Sequence, residues 1–228
     1  MTKRMLDLSL SLAVTACSSS IAAPLDRAPS VDVAPVAQLC VTHGAIENHA
    51  IAEPTVRAFA EDAGGDAAEL AFTYRGDSQT GRALANGQLR RQVGIKLRAE
   101  NGCNVVYVMW RLDPKPKLDV SVKSNPGKRT HEDCGADGYI KVKPVRALAV
   151  PAYAPGEAHT LRAEIIGDEL TAWIDGRVAW HGTLPTEARA LAGPAGLRSD
   201  NVMLDGVALS ASRGHPLAPA CKRSERED

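Results

Sequence analysis

Lys96, Arg98, Tyr107, Arg111 and Lys123 fall on alternate positions of three short segments, so pleated strands would turn all five side chains away from a core. Over 93–98, Val93, Ile95 and Leu97 share one face, with Lys96 and Arg98 opposite. Over 104–112, Val106, Val108, Trp110 and Leu112 oppose Tyr107, Met109 and Arg111. Over 118–123, Leu118, Val120 and Val122 oppose Asp119, Ser121 and Lys123. If these strands adjoin, their outward side is a cationic field with an aromatic ring in it. An arginine fork holds a carboxylate or sulfate through two parallel hydrogen bonds, and a tyrosine ring stacks on sugar C–H groups. An acidic saccharide or another anionic polymer fits such a surface. A sheet face that is merely solvated gives the same alternation.

Other chemistry finds less support. His43, His49, His131, His159, His181 and His215 show no metal spacing and no nucleophile-base motif, and His131 with Cys134 is a single weak pair. The acidic pairs Glu61-Asp62, Glu132-Asp133 and Asp168-Glu169 sit in apparent turns rather than on one strand face. Paired-carboxylate catalysis needs two acids held about 5–10 Å apart across the scissile bond. No catalytic residue is therefore assigned, and a binding role is favoured over an enzymatic one.

The start of the chain points to export. Lys3 and Arg4 precede an apolar stretch, and Val14-Thr15-Ala16-Cys17 is followed by a serine run. This resembles a bacterial lipoprotein signal, which implies removal of residues 1–16 and lipidation of Cys17; ordinary secretory cleavage near Ser20-Ile21-Ala22 and an incidental match in a cytoplasmic chain are the alternatives. The expected location is the cell envelope, at the outer membrane or the periplasmic face, with attachment to membrane through lipid alone. Residues 17–37, rich in Ser, Ala and Pro, read as a flexible tether, 38–221 as one folded domain, and 222–228 as a charged, disordered tail.

Lys and Arg number 27 against 27 Asp and Glu, and removing Lys3, Arg4 and Asp7 leaves 25 against 26. No global field attracts nucleic acid, so any electrostatic steering must be local. The remaining cysteines, Cys40, Cys103, Cys134 and Cys221, suit two disulfides in an exported chain, and three pairings are open. Cys103–Cys134 is favoured because both flank one strand-loop-strand segment, and Cys40–Cys221 because it joins the ends of the domain.

Short alternating strands dominate the rest. Leu161, Ala163 and Ile165 oppose Thr160, Arg162 and Glu164, and Asp175-Gly176 has the character of a type I′ turn joining 170–174 to 177–180. A regular two-residue hairpin there puts Thr171, Trp173, Val178 and Trp180 on one face, and Leu170, Ala172, Ile174 and Ala179 on the other. Both faces are apolar, so the hairpin is either covered on both sides or shows tryptophan to a ligand or lid.

Three stretches together carry a family likeness: Gly156-Glu157-Ala158-His159-Thr160-Leu161-Arg162-Ala163-Glu164, Leu170-Thr171-Ala172-Trp173-Ile174-Asp175-Gly176, and Gly193-Pro194-Ala195-Gly196-Leu197. They resemble the concanavalin A-like lectin/glucanase superfamily, including its laminin-G-like jelly rolls. The resemblance implies an all-β, two-sheet antiparallel jelly-roll sandwich with its first and last strands side by side. It also implies that the outward face of the concave sheet is the ligand groove. Asp200, Asn201 and Asp205 would lie where relatives often ligate calcium, although bonds to loop backbone explain them equally well. The E-x-D-x-x-E string of the family's glycosidases and the Q-x-H of its lyases are absent. Two alternatives remain: a polysaccharide lyase or hydrolase in the same groove, with Tyr107 beside Arg98, and a structural lipoprotein that docks a protein partner.

Overall fold

The computed structural model describes residues 27–84, 86–214 and 221. The leader, Cys17 and the 222–228 tail lie outside the described residues. Among those described, no helix is long and apolar enough to cross a membrane.

The alternating segments form two antiparallel sheets of seven strands each, a jelly-roll sandwich. The strands are β1 (Val33–Pro35), β2 (Leu39–His43), β3 (Thr55–Ala60), β4 (Ala67–Asp77), β5 (Gln92–Leu97), β6 (Val105–Arg111), β7 (Lys117–Lys123), β8 (Tyr139–Val142), β9 (Arg146–Ala147), β10 (Ala158–Ile166), β11 (Glu169–Ile174), β12 (Arg177–Thr183), β13 (Gly196–Asp200) and β14 (Val202–Ser212). One sheet runs β1-β14-β4-β10-β11-β12-β9 and the other β2-β3-β13-β5-β6-β7-β8. The core between them takes Val93, Ile95, Leu97, Val106, Val108, Trp110, Val120 and Val122 from the second sheet, and Leu70, Leu161, Ala163, Ile165 and Leu170 from the first. Apart from Leu70, these belong to the apolar sets that alternation identifies. The first and last strands, β1 and β14, pair as the resemblance implies. Both favoured disulfides are formed, Cys40–Cys221 and Cys103–Cys134.

Two expectations need correction. The Asp175-Gly176 turn is present, with positive φ at both residues, and Trp173 pairs with Val178. The register then shifts, so that Ala172 faces Trp180. This bulge leaves Ala179 as the extra residue and rotates Trp180 to the opposite face, because an inserted residue reverses the side-chain alternation beyond it. Trp180 enters the core at 1% exposure, and the two tryptophans do not share a face.

The second correction concerns the tether. Val33–Pro35 is a strand, and residues 27–31 lie across the outward face of the first sheet. Trp173 Nε1 donates to the Arg27 carbonyl at 3.2 Å, and the Ser30 and Val31 amides donate to Glu164 Oε2 at 2.9 and 3.0 Å. The apolar area of Trp173 and the buried Glu164 carboxylate supply a reason to order a sequence that composition alone reads as loose. Glu164→Ala should free this strap at a cost of about 1–3 kcal/mol, since the two amides lose their acceptor. Urea unfolding and a red shift of tryptophan emission would show it; an unchanged emission spectrum would mean that the strap does not depend on Glu164.

Candidate functional site

The outward face of the second sheet is organised in rows set by strand register. Thr55, Asp200, Gln92, Arg111 and Lys117 form one row; Arg57, Arg198, Gly94, Met109 and Asp119 the next; Phe59, Gly196, Lys96, Tyr107, Ser121 and Lys141 a third. Lys123 pairs with Tyr139 beyond them. Over these rows lies a cavity of about 400 Å³, walled by Arg82, Leu84, Asn86 and Arg90 of the β4–β5 loop and by His131, Gly135 and Ala136 before β8.

Both walls are fastened. Asn201, held at φ 55° just after β13, accepts from the Arg82 amide at 2.7 Å and donates to the Arg82 and Arg90 carbonyls, both at 2.9 Å. The opposite wall includes α1 (His131–Cys134), whose N-terminus is capped by Thr130 and whose Cys134 is bonded to Cys103. Lys123 Nζ donates to the Gly135 carbonyl at 2.7 Å.

Of the five cation and aromatic positions that alternation singles out, Tyr107, Arg111 and Lys123 line the cavity. Lys96 shares the outward face but is buried beside Tyr107 and is not part of the cavity wall. Arg98 is a correction. It follows β5 with φ 48°, its Nε donates to Asp66 Oδ1 at 2.6 Å, and one Nη donates to the Ala188 carbonyl. The strand ends at Leu97, so alternation no longer governs where the Arg98 side chain points.

Tyr107 is no open platform either. Its ring stacks with Tyr139 at 6.2 Å between centroids and 24° between planes, and the Arg198 guanidinium lies 5.3 Å from its centroid. The Lys123 ammonium stands 5.1 Å from the Tyr139 centroid. A cation-ring-ring-cation ladder thus crosses the sheet, with Tyr107 4% exposed and Tyr139 47% exposed. The ring offered to solvent is Tyr139.

The calcium reading of Asp200, Asn201 and Asp205 is also corrected. Asp200 is fully buried, accepts from Gln92 Nε2 at 2.6 Å and from Arg198 Nε at 2.8 Å, and its oxygens are occupied by that pairing. Asn201 is spent on the β4–β5 loop, and Asp205 pairs with Arg75 at 3.2 Å. The one cluster of metal-type ligands among the described residues, Cys40, Glu61 and Cys221, has both thiols committed to a disulfide.

The electrostatics of the cavity are one-sided. Arg57, Arg82, Arg90, Arg111, Lys123, Lys141 and Arg198 line it, against the single carboxylate of Asp119. Burial disfavours the charged form of Asp119, but hydrogen bonds from Arg111 and Lys117 outweigh it and hold its pKa below the ordinary aspartate value. Burial likewise opposes ionisation of Asp200, and Arg198, Arg57 and Gln92 overcome it. Arg90 shows the reverse: burial and then repulsion by the Arg111 guanidinium lower its pKa. Its hydrogen bonds go to the neutral Gln88. Two further wall atoms, Gln92 Oε1 and Arg111 Nε, are buried without a hydrogen-bond partner among the described residues.

Arg57, Arg90, Arg198, Tyr139 and Lys141 lie outside the five positions singled out by alternation. The sequence holds one signal for them: Arg57 and Arg198 alternate with core residues in short segments of their own. That β3 and β13 join β5 side by side is a long-range pairing that no local pattern reveals.

Among solved structures, the carbohydrate-binding module CBM66 from Bacillus subtilis is similar over 77% of this chain and 92% of its own, with 12% identity and a TM-score of 0.51. A tetrameric galectin from the ball sponge Cinachyrella is similar over 70% and 99%, with 15% identity and a TM-score of 0.42. At such identities the likeness concerns the fold, and it rests on the first of the two. No family model and no curated protein matches the chain.

Proposed function

We propose that this protein is an exported, lipid-anchored module that binds an acidic saccharide in the cavity between the β4–β5 loop and the α1 wall. The observation that carries this reading is the crowding of seven cationic side chains around a cavity whose paired carboxylates are Asp119 in the wall and Asp200 buried behind it, with an exposed tyrosine at its edge. Like charges held together cost free energy until an anion neutralises them, and arginine forks suit carboxylate and sulfate oxygens. The fold is shared with a carbohydrate-binding module. The anchor is read from the Cys17 signal alone, and export from that signal together with four further cysteines suited to two disulfides.

Binding is favoured over catalysis by the state of the acids. Asp119 is ion-paired with Arg111 and Lys117, and Asp200 with Arg198, so neither carboxyl is poised to give or take a proton. The lyase pairing of Tyr107 with Arg98 is undone by the attachment of Arg98 to Asp66.

Retention on immobilised polygalacturonate, alginate and chondroitin sulfate, against neutral glycans and with product analysis, tests the proposal. Retention of an acidic glycan that weakens with salt, without cleavage, is expected. Retention of neutral glycans alone, or none at all, would overturn it; cleavage products would establish an enzyme. Arg98→Ala serves as a control and should bind as the parent does. Tyr139→Ala should lose about 2- to 13-fold in affinity through lost stacking of about 0.5–1.5 kcal/mol. Equal affinity of this variant by titration calorimetry would remove Tyr139 from the site.

A further inference from the structure

The walls of the cavity are unequal, and that asymmetry specifies which part of a glycan it can take. Along the strand direction the β4–β5 loop closes one end and the α1 segment the other. Across the strands the two sides differ. Beyond Arg57, the loop reaches over to β2, where Arg82 Nη1 lies 3.5 Å from His43 Nε2. At the other side β8 is the edge strand of its sheet, with Tyr139 47% exposed and the Lys141 side chain 70% exposed. The cavity therefore has a mouth at β8 and an inner end at β3, four inter-strand steps, or about 19 Å, lying between Lys141 and Arg198.

Charge follows the same axis. Arg57, Arg82 and Arg198 stand at the inner end around the buried Asp200 carboxylate, Arg90 stands by Arg111 and Arg198, and the carboxylate of Asp119 lies toward the mouth, between Lys117 and Lys141. Gly94, between Arg198 and Met109 in register, makes room for the Met109 side chain that lines the floor, since a Cβ there would come within 2.6 Å of Met109 Sδ. A volume of about 400 Å³ is at the small end for ligand pockets, suited to one or two sugar rings rather than a long chain.

We infer that the cavity accepts the terminal residue of an acidic glycan, its carboxylate or sulfate directed to Arg57, Arg90 and Arg198, while the chain leaves over Tyr139 at the β8 edge. This rests on the acidic-saccharide reading above. An internal stretch would have to pass between Arg82 and His43 and would carry its further charges away from the arginines. A terminus meets neither obstacle, and its charge is buried where several cations compensate it, which is the condition under which burying a charge is tolerated.

The test uses the full chain and whichever of polygalacturonate, alginate and chondroitin sulfate it retains. The polymer is partially hydrolysed to a series of chain lengths and compared at equal mass. Binding sites per unit mass should rise in the same ratio as the number of chain ends, and the free acidic monosaccharide should compete completely. Sites per unit mass that ignore chain length, with no competition by the monosaccharide, would overturn terminal recognition while leaving the acidic-saccharide reading intact. Failure to retain any of the three polymers would overturn both.

Discussion

Arg198→Ala should abolish most binding and cost about 3–5 kcal/mol of stability, because it strips the partner from a carboxylate with no exposure to water. Arg198 bonds Asp200 through both Nε and Nη2, and its guanidinium also covers the Tyr107 ring. Without it, Asp200 keeps Gln92 and the field of Arg57. Loss of one charge-assisted contact to a ligand should lower affinity about 10- to 100-fold. The effect has a pH signature. Pairing depresses the folded-state pKa of Asp200, so its contribution is present above the unfolded value of about 3.9 and lost as pH falls through the lower folded value. The stability gap between parent and variant in urea should therefore narrow below about pH 4. A gap independent of pH would mean that the pair is not what Arg198 stabilises. Arg198→Ala with Asp200→Asn should recover stability without recovering binding, which separates the two roles. Arg198→Lys should not restore binding, since an ammonium cannot bond Asp200 twice and still present a further donor to a ligand.

The second large effect concerns the wall that the Cys103–Cys134 bridge holds against the β6 end of the sheet. With a sequence separation of 31, the chain-entropy model assigns this bridge about 3–4 kcal/mol. Changing both cysteines to alanine should lower stability by that order and, at the same time, loosen His131, Gly135 and Ala136, which line the cavity. Acidic-glycan retention should then fall even under conditions where the variant is fully folded, and hydrogen exchange should speed up over 131–138. Unchanged retention in a folded variant would show that the wall is held by Lys123 and the Thr130 cap without the bridge.

How much of this was legible beforehand differs by element. The core faces of β5, β6, β7 and β10 follow from alternation, because period-two patterning is a local property set by the pleat. Tyr107, Arg111 and Lys123 were legible as outward side chains for the same reason. Arg98 was not, since one residue beyond the strand end the pattern loses its force. Regular hairpin register puts Trp180 on the wrong face, because a single-residue bulge, which the sequence pattern does not mark, turns its indole into the core.

The chain by itself determined that short antiparallel strands dominate, that a turn falls at Asp175-Gly176 and that four cysteines suit two disulfides, since these rest on alternation, turn chemistry and cysteine count, while the two-sheet jelly roll came with the family resemblance. Only the tertiary structure decided that β3 and β13 lie beside β5, bringing Arg57 and Arg198 to the cationic face, and that a loop clamped by Asn201 roofs it. The reason is physical: the direction of a side chain is fixed by its own strand, whereas the neighbours it meets are fixed by pairings between segments far apart in sequence, which are selected by burial of the whole core.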